Sequence, residues 1–166
     1  ILYRNNGDGT FTDITKKAGV AGKHWSTGCT FLDYDRDGFL DLYVGNYLLY
    51  DPKYKHYFAA EAFPGPLAYQ GRPDTLYRNK GDGTFEDVTK KAGIYNEQGR
   101  AMGIASCDLD EDGFMDIFTA NDGMENYFYK NNQKGGFTEI ALVSGTGFGQ
   151  NGEATSAMGP EFGDYN

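Results

Sequence analysis

The sequence has no long hydrophobic run, no excess of basic residues, and little cysteine or proline. Hydrophobic residues make up 39% of its 166 residues, and no apolar stretch approaches the roughly 20 residues of a membrane-spanning helix. Acidic residues outnumber basic ones by 24 to 15, which gives a net charge of -9 and no basic footprint for nucleic acid. Five prolines and 16% aromatic residues are untypical of a disordered chain. We therefore exclude membrane spans, coiled coils and nucleic-acid binding.

The two cysteines, Cys29 and Cys107, are too few for a disulfide scaffold or a cysteine-based zinc site. Two interpretations remain: the cysteines are either core thiols or the two halves of one disulfide bridge. Free cysteine is among the most buried residue types, so the core interpretation is favoured.

Glycine is abundant, and the chain repeats itself. The 24 glycines, together with the aromatic residues, favour short strands joined by tight turns. One recurring segment contains the run Leu-Tyr-Arg-Asn-x-Gly-Asp-Gly-Thr-Phe, and a second contains a run of alternating aspartates. Copies of the first segment lie at 2–20, 76–94 and, more weakly, 128–140; copies of the second lie at 31–44, 107–119 and, incompletely, 157–166.

One complete repeat contains four short strands, predicted at about 27–34, 41–47, 75–79 and 84–89. Repeated units of four antiparallel strands are the signature of β-propeller blades, and a closed ring needs 4–8 of them. The fold class is therefore all-β, with blades of four antiparallel strands in an incomplete arc of a larger propeller. We expect a longer protein, or several chains, to complete the ring. The predicted divisions are the end of one blade at 1–20, a full blade at 26–94 with an insertion at 48–74, a full blade at 101–142, and the start of another at 157–166.

The alternating aspartates form the pattern D-x-D-x-D-G-x-x-D twice. Carboxylates around a tight glycine turn converge on one point, and such a set of hard oxygens suits Ca²⁺, which takes 6–8 oxygen ligands. The two runs carry net charges of -3 and -5, so they account for nearly all of the net charge of the chain. The predicted ligands are Asp33, Asp35, Asp37 and Asp41 with the carbonyl of Phe39, and Asp108, Asp110, Asp112 and Asp116 with the carbonyl of Phe114.

Other interpretations of the acidic runs are weaker. An EF-hand needs a carboxylate at its twelfth position, where this chain has Val44 and Thr119. Acidic turns that bind nothing would leave like charges close together without a cation. A catalytic carboxylate pair remains open, but two near-identical copies favour an architectural role. Mg²⁺ fits less well because it prefers to keep water and ideal octahedral geometry.

These motifs resemble the FG-GAP/VCBS-type repeats of calcium-binding β-propellers, and most closely the cartilage-acidic-protein-like (ASPIC/UnbV-associated) group. The resemblance implies a secreted or surface propeller of about seven blades, with a structural Ca²⁺ in each acidic loop. It also implies that Asp164 and Asn166 are the first and third ligands of a third loop. One departure is the absence of the Gly-Ala-Pro run after the second strand. The partner preferences of integrin α-subunit heads, which carry FG-GAP repeats, are therefore not expected of this chain.

Two functional classes remain open. The first is a non-enzymatic, calcium-stabilised extracellular propeller that binds a protein or a glycan in adhesion, matrix or surface assembly. The alternative is the propeller portion of a secreted enzyme acting on polysaccharide, with its catalytic residues outside this chain. No catalytic residue or organic cofactor is predicted within the chain. The expected location is extracellular or at the cell surface, with the periplasm as the alternative.

The insertion at 48–74 is a further candidate for binding. It holds four of the five prolines and six aromatic residues, and long loops on a rigid scaffold often bind ligands. A self-packed loop explains the same composition and is favoured. Trp25 lies just before the first predicted strand. We assign it to packing between blades in preference to stacking against a sugar ring. The aromatic residues of the insertion are Tyr50, Tyr54, Tyr57, Phe58, Phe63 and Tyr69.

Overall fold

A computed structural model describes residues 1–53 and 64–163 of the chain, and this part is all-β. Its helices are one short turn each, α1 (Thr15–Ala18), α2 (Ala141–Ser144) and a 3₁₀ turn at Pro66–Ala68. The described strands are β1 (Tyr3–Asn5), β2 (Phe11–Asp13), β3 (Ser26–Leu32), β4 (Asp41–Asn46), β5 (Thr75–Asn79), β6 (Phe85–Asp87), β7 (Ala101–Cys107), β8 (Asp116–Met124), β9 (Tyr127–Asn131), β10 (Phe137–Glu139) and β11 (Thr155–Ser156).

The strands form antiparallel sheets in which neighbours along the chain are mostly neighbours in the sheet. β1 and β2 form a hairpin, and β3 to β6 form a four-stranded sheet in chain order, here called the first sheet. The second sheet contains β7 to β10 in chain order. The short strand β11 pairs with the C-terminal end of β8. This arrangement confirms the predicted all-β, propeller-like arc of four-stranded antiparallel units.

Tight turns follow from the glycine-rich runs between strands. Gly81 and Gly83 have φ angles of 74° and 83°, a region that glycine enters without steric cost. Between them, a carboxylate oxygen of Asp82 accepts bonds from both the amide (2.9 Å) and the hydroxyl (2.6 Å) of Thr84. The predicted hairpin between the third and fourth strands is thereby formed.

The two sheets pack face to face, with the core between them. The buried core residues are Leu32, Tyr34, Tyr43, Leu76, Val88, Ala92, Ile94, Ile117, Tyr129 and Phe137. The sheets approach closely at Gly45 in β4, where an added Cβ would lie 2.8 Å from both the Cβ of Ala101 and the Cδ1 of Ile104. Glycine at this position lets β4 lie directly against β7.

A buried carboxylate also joins the sheets. The side chain of Asp74, which is 1% exposed, accepts bonds from the hydroxyl of Tyr43 (2.8 Å), the amide of Asn46 (2.8 Å) and the side chain of Asn96 (2.9 Å). Asn96 in turn donates to the hydroxyl of Tyr129 in the second sheet (3.1 Å). Each of these polar groups is buried with a partner, as buried polar groups need to be.

The prediction that both cysteines lie in the core is wrong for Cys29, which is exposed, while Cys107 is half-buried. Both are free thiols, so no bridge joins them. The reason is strand alternation on the edge strand β3. Thr30, next to Cys29, bonds Ser106 of the second sheet at 2.9 Å, so the thiol of Cys29 lies on the opposite face.

The insertion is described only at its two ends, where Leu48 bridges to Gly71. Trp25 is 53% exposed and meets the rings of Tyr47 and Tyr50 edge-on, with centroids 5.4 Å and 6.3 Å away. Residues 157–163 form no strand, so the start of a blade at 157–166 stays a prediction. Several predicted residues lie outside the described part, namely Tyr54, Tyr57, Phe58, Phe63, Asp164 and Asn166.

Candidate metal centre

The first acidic run, here called loop A (33–41), joins β3 to β4 and folds around the side chain of Asp33. One oxygen of Asp33 accepts the amide of Asp37 (3.1 Å), and the other accepts the amide of Gly38 (3.0 Å). Oδ1 of Asp37 accepts the amide of Phe39 (3.0 Å). Gly38 has a φ of 86°, which supplies the sharp turn expected of it.

The second acidic run, here called loop B (108–116), joins β7 to β8 and repeats this geometry. Asp108 accepts the amides of Asp112 (3.0 Å) and Gly113 (2.8 Å), and Asp112 accepts the amide of Phe114 (2.9 Å). The φ of Gly113 is 87°, almost the same as that of its equivalent in loop A. The repeated sequence therefore produces the same local fold in neighbouring sheets.

Three carboxylates converge in each loop. In each group, one oxygen atom from every aspartate lies within 4.8 Å of the others. The groups are Asp33, Asp35 and Asp37 in loop A, and Asp108, Asp110 and Asp112 in loop B. The structure thus brings together six of the aspartates that the sequence predicts as ligands.

The ninth-position aspartates, Asp41 and Asp116, lie outside these groups of three. Asp41 is fully buried and accepts the amides of Tyr34 (3.2 Å) and Asn79 (2.8 Å). Asp116 likewise accepts the amide of Asn131 at 2.8 Å. Burial raises the pKa of Asp41 to about 6 and also raises the pKa of Asp116. Both residues fasten a loop to the third strand of its sheet, and their role as ligands stays a prediction.

The predicted carbonyl ligands belong to Phe39 and Phe114, whose rings have separate roles. The ring of Phe39 covers the hairpin turn at Gly81, where an added Cβ would lie 2.8 Å from ring carbons. The ring of Phe114 lies under the guanidinium of Arg36, whose Cζ is 5.1 Å from the ring centre. These contacts fix the position of the backbone at the seventh residue of each loop.

Basic side chains on the third strand of each sheet pair with the loops, which the sequence analysis missed. Arg78 donates to Asp35 (2.6 Å) and to Asp37 (2.8 Å) through their Oδ2 atoms. At the equivalent position of the second sheet, Lys130 pairs with Asp110. The signal was present in the sequence, because both bases occupy the third position of the recurring Leu-Tyr-Arg-Asn motif.

An unpaired buried oxygen shows that loop A has an acceptor atom that no described side chain or amide uses. Oδ1 of Asp35 is buried and has no hydrogen-bond partner among the described residues, while its Oδ2 is paired with Arg78. Buried polar atoms without a partner are rare in folded proteins. The available atoms are hard oxygens, the ligands preferred by Ca²⁺. The donor set therefore fits a hard divalent cation.

No helix in the described residues is long and apolar enough to cross a membrane. The longest α-helices there have four residues, against the roughly 20 that a span requires.

Comparison with known proteins assigns the chain to a family. The family model described as FG-GAP-like repeat matches residues 1–44, 67–119 and 108–166. Cartilage acidic protein 1 of Xenopus tropicalis is 36% identical over 64 residues, which cover 38% of this chain and 10% of that protein. Cartilage acidic protein 1 of Homo sapiens is 39% identical over 49 residues, which cover 30% of this chain and 7% of that protein. The matched segments thus span a tenth or less of either relative. Since the repeat matches extend over most of its length, the chain belongs to the FG-GAP-like repeat family.

Proposed function

We propose that this chain is a calcium-stabilised, extracellular, non-enzymatic part of a β-propeller that binds a protein or a glycan in adhesion, matrix or surface assembly. One arrangement supports the calcium part of the proposal: three aspartates converge in each of two equivalent loops, and in loop A a buried oxygen of Asp35 has no partner among the described residues. The two sheets would be blades of a ring of about seven.

The proposed ion would act as a clamp between the first and second strands of each blade. Bound Ca²⁺ supplies two positive charges where like-charged carboxylates would otherwise repel one another. Two backbone amides bond Asp33 in loop A, and two bond Asp108 in loop B. Because these bonds already form the turn of each loop, the backbone needs little rearrangement to bind an ion. The proposed ligand sets are Asp33, Asp35, Asp37, Asp41 and the Phe39 carbonyl; Asp108, Asp110, Asp112, Asp116 and the Phe114 carbonyl; and Asp164 and Asn166 for a third loop.

A structural role is supported over a catalytic one by the repetition of the site. Two loops with the same backbone bonds and a basic residue at the equivalent position of the third strand are what a repeat architecture produces. An extracellular setting is supported by the name of the two relatives, which refers to cartilage. Outside cells, weak sites with Kd of about 10⁻⁴–10⁻³ M are sufficient for Ca²⁺.

Removing calcium is expected to lower the melting temperature. Binding to the folded form alone contributes about 2.7 kcal/mol per loop at a hundredfold excess over Kd. For a chain of this size that corresponds to roughly 5–10 °C per loop. Thermal melts in excess Ca²⁺ and in excess chelator measure the shift, and calorimetry measures the number of ions bound by the described loops, which we expect to be two.

A double variant tests which carboxylates are responsible. Asp35→Asn with Asp110→Asn is expected to abolish the calcium-dependent shift. Glu86→Gln with Glu97→Gln removes the same charge from exposed positions outside the loops and is expected to retain it. A wild-type melt that is the same in calcium and in chelator, with no metal bound, contradicts the calcium proposal.

The binding role has its own test. The chain is immobilised in Ca²⁺ and exposed to a panel of purified matrix glycans and matrix proteins. Saturable binding by one of them, lost in the Asp35→Asn/Asp110→Asn variant, is the expected result. Hydrolysis of a polysaccharide by the chain itself, or binding to no member of either panel, would count against the role.

A further inference from the structure

Arg36 belongs to loop A by sequence, but its charge lies against loop B. Its Cζ is 5.1 Å from the centre of the Phe114 ring, and one of its terminal nitrogens would lie 3.1 Å from a Cβ added to Gly113. The φ of Arg36 is 58°, in the left-handed region, as is the φ of 57° at Glu111, its equivalent in loop B. Both side chains are exposed, but only Arg36 makes a described contact with the other loop.

The position of Arg36 changes the charge balance between the loops. Counted by sequence, loop A has a net charge of -3 and loop B has -5. Counted by position, loop A has four aspartates and the cation of Arg78, a net charge of -3. Loop B has four aspartates and Glu111, with the cations of Lys130 and Arg36, which is also a net charge of -3. When only these paired and contacting side chains are counted, two loops that are unequal in sequence carry the same net charge.

Buried hydrogen bonds fix the spacing of the two loops. Asn131 lies on β9 of the second sheet. Its side-chain Nδ2 donates to the carbonyl of Tyr34 in loop A (2.8 Å), and its backbone amide donates to Asp116 of loop B (2.8 Å). The amide of Tyr34 donates to Asp41 of its own loop (3.2 Å). Tyr34 and Asn131 thus connect the two loops at a point two residues from Arg36 in the chain.

We propose that Arg36 lowers the cation affinity of loop B, the loop of the neighbouring sheet, more than that of the loop to which it belongs in sequence. This inference rests on the proposed calcium function. A positive charge close to loop B weakens its binding of a divalent cation, whereas Glu111 strengthens it. The affinity of loop B is in this way partly determined by a residue of the loop before it in the chain.

A pair of glycine variants tests the inference in the intact chain. Glycine accepts the positive φ at both positions, so Arg36→Gly and Glu111→Gly remove opposite charges without strain in the backbone. Calcium is titrated while the backbone amide resonances of Gly38 and Gly113 are followed by NMR. Each amide bonds an aspartate of its own loop, so each reports one loop separately.

We expect Arg36→Gly to tighten binding at loop B roughly two- to fivefold, and Glu111→Gly to weaken it by a similar factor. Loop A should change by less in both variants, and 0.5 M salt should reduce both effects. Arg36→Gln and Glu111→Gln provide a second pair if a glycine variant does not fold. Tightening of loop A by at least as much as loop B, or no change at loop B, overturns the inference while leaving the calcium function intact. A wild-type titration in which neither glycine resonance moves contradicts the proposed function itself.

Discussion

Replacing Asp74 with alanine is expected to lower the free energy of unfolding by about 3–5 kcal/mol. The carboxylate is buried between the two sheets, and its removal leaves the hydroxyl of Tyr43, the amide of Asn46 and the side chain of Asn96 without their acceptor. Each buried donor left unsatisfied costs about 1–3 kcal/mol, and Tyr43 retains its contact with Thr119 (3.2 Å), which moderates the total. Urea unfolding of the two chains at pH 7 measures the difference.

The matched control is Asp74→Asn, which keeps an oxygen acceptor of the same size. We expect a loss of about 1–2 kcal/mol, because one acceptor atom becomes a donor facing Asn96 and Tyr43. Equal stabilities for the alanine variant and the wild type would mean that the network does not join the sheets.

The same residue makes the free energy of unfolding depend on pH. Burial raises the pKa of Asp74 to about 6, from 3.8 in the unfolded chain. The folded state therefore binds the proton more tightly, and the stability that this contributes is fully present below about pH 3.8 and lost as the pH rises through 6. Tyr43 and Tyr129 face the carboxylate, and burial raises the pKa of both, so they stay neutral across this range.

The asparagine variant isolates that contribution, because it lacks the titrating group while the other carboxylates are unchanged. The stability gap between wild type and Asp74→Asn is expected to be about 1–2 kcal/mol larger at pH 5 than at pH 8. Urea unfolding at the two pH values provides the measurement. A gap that is constant or wider at pH 8 would show that the folded-state pKa of Asp74 is not raised.

Replacing Gly45 with valine is expected to destabilise the chain by about 3 kcal/mol or more. The Cβ alone would lie 2.8 Å from the Cβ of Ala101, which cannot rotate away, and valine adds two further methyl groups at this point. Overpacking a filled interface typically costs about 1–3 kcal/mol and sometimes more. Alanine at this position, which adds the Cβ alone, is expected to cost less than valine, and urea unfolding ranks the variants.

Gly22 provides the control for this substitution. It has no positive φ, and among the described residues no atom beyond its two chain neighbours lies within 4 Å of an added Cβ, so Gly22→Val is expected to change the stability by about 0.5 kcal/mol or less. If Gly45→Val were as stable as the wild type, the close contact of β4 with β7 would not exist in solution.

Much of the fold was predictable because its signals are local. The strands predicted at about 27–34, 41–47, 75–79 and 84–89 lie within two residues of the bounds of β3 to β6, because the repeat and its glycine turns mark the strand ends. The geometry of the acidic loops was predictable for the same reason, since Asp33 and Asp108 bond amides only four and five residues away. Burial was harder to predict, and Cys29 was wrongly placed in the core because its exposure depends on which face of an edge strand meets the next sheet.

The sequence by itself determined the antiparallel four-stranded unit, its repetition and the convergence of three aspartates in each loop, because short-range hydrogen bonds and strand alternation need no other part of the chain. The tertiary structure alone decided which charges meet. Arg78 bonds loop A from a strand about forty residues further along the chain, and the side chain of Arg36 contacts loop B although its backbone belongs to loop A. Such contacts depend on how sheets are placed side by side, and electrostatic interactions follow distance in space, whatever the separation along the chain.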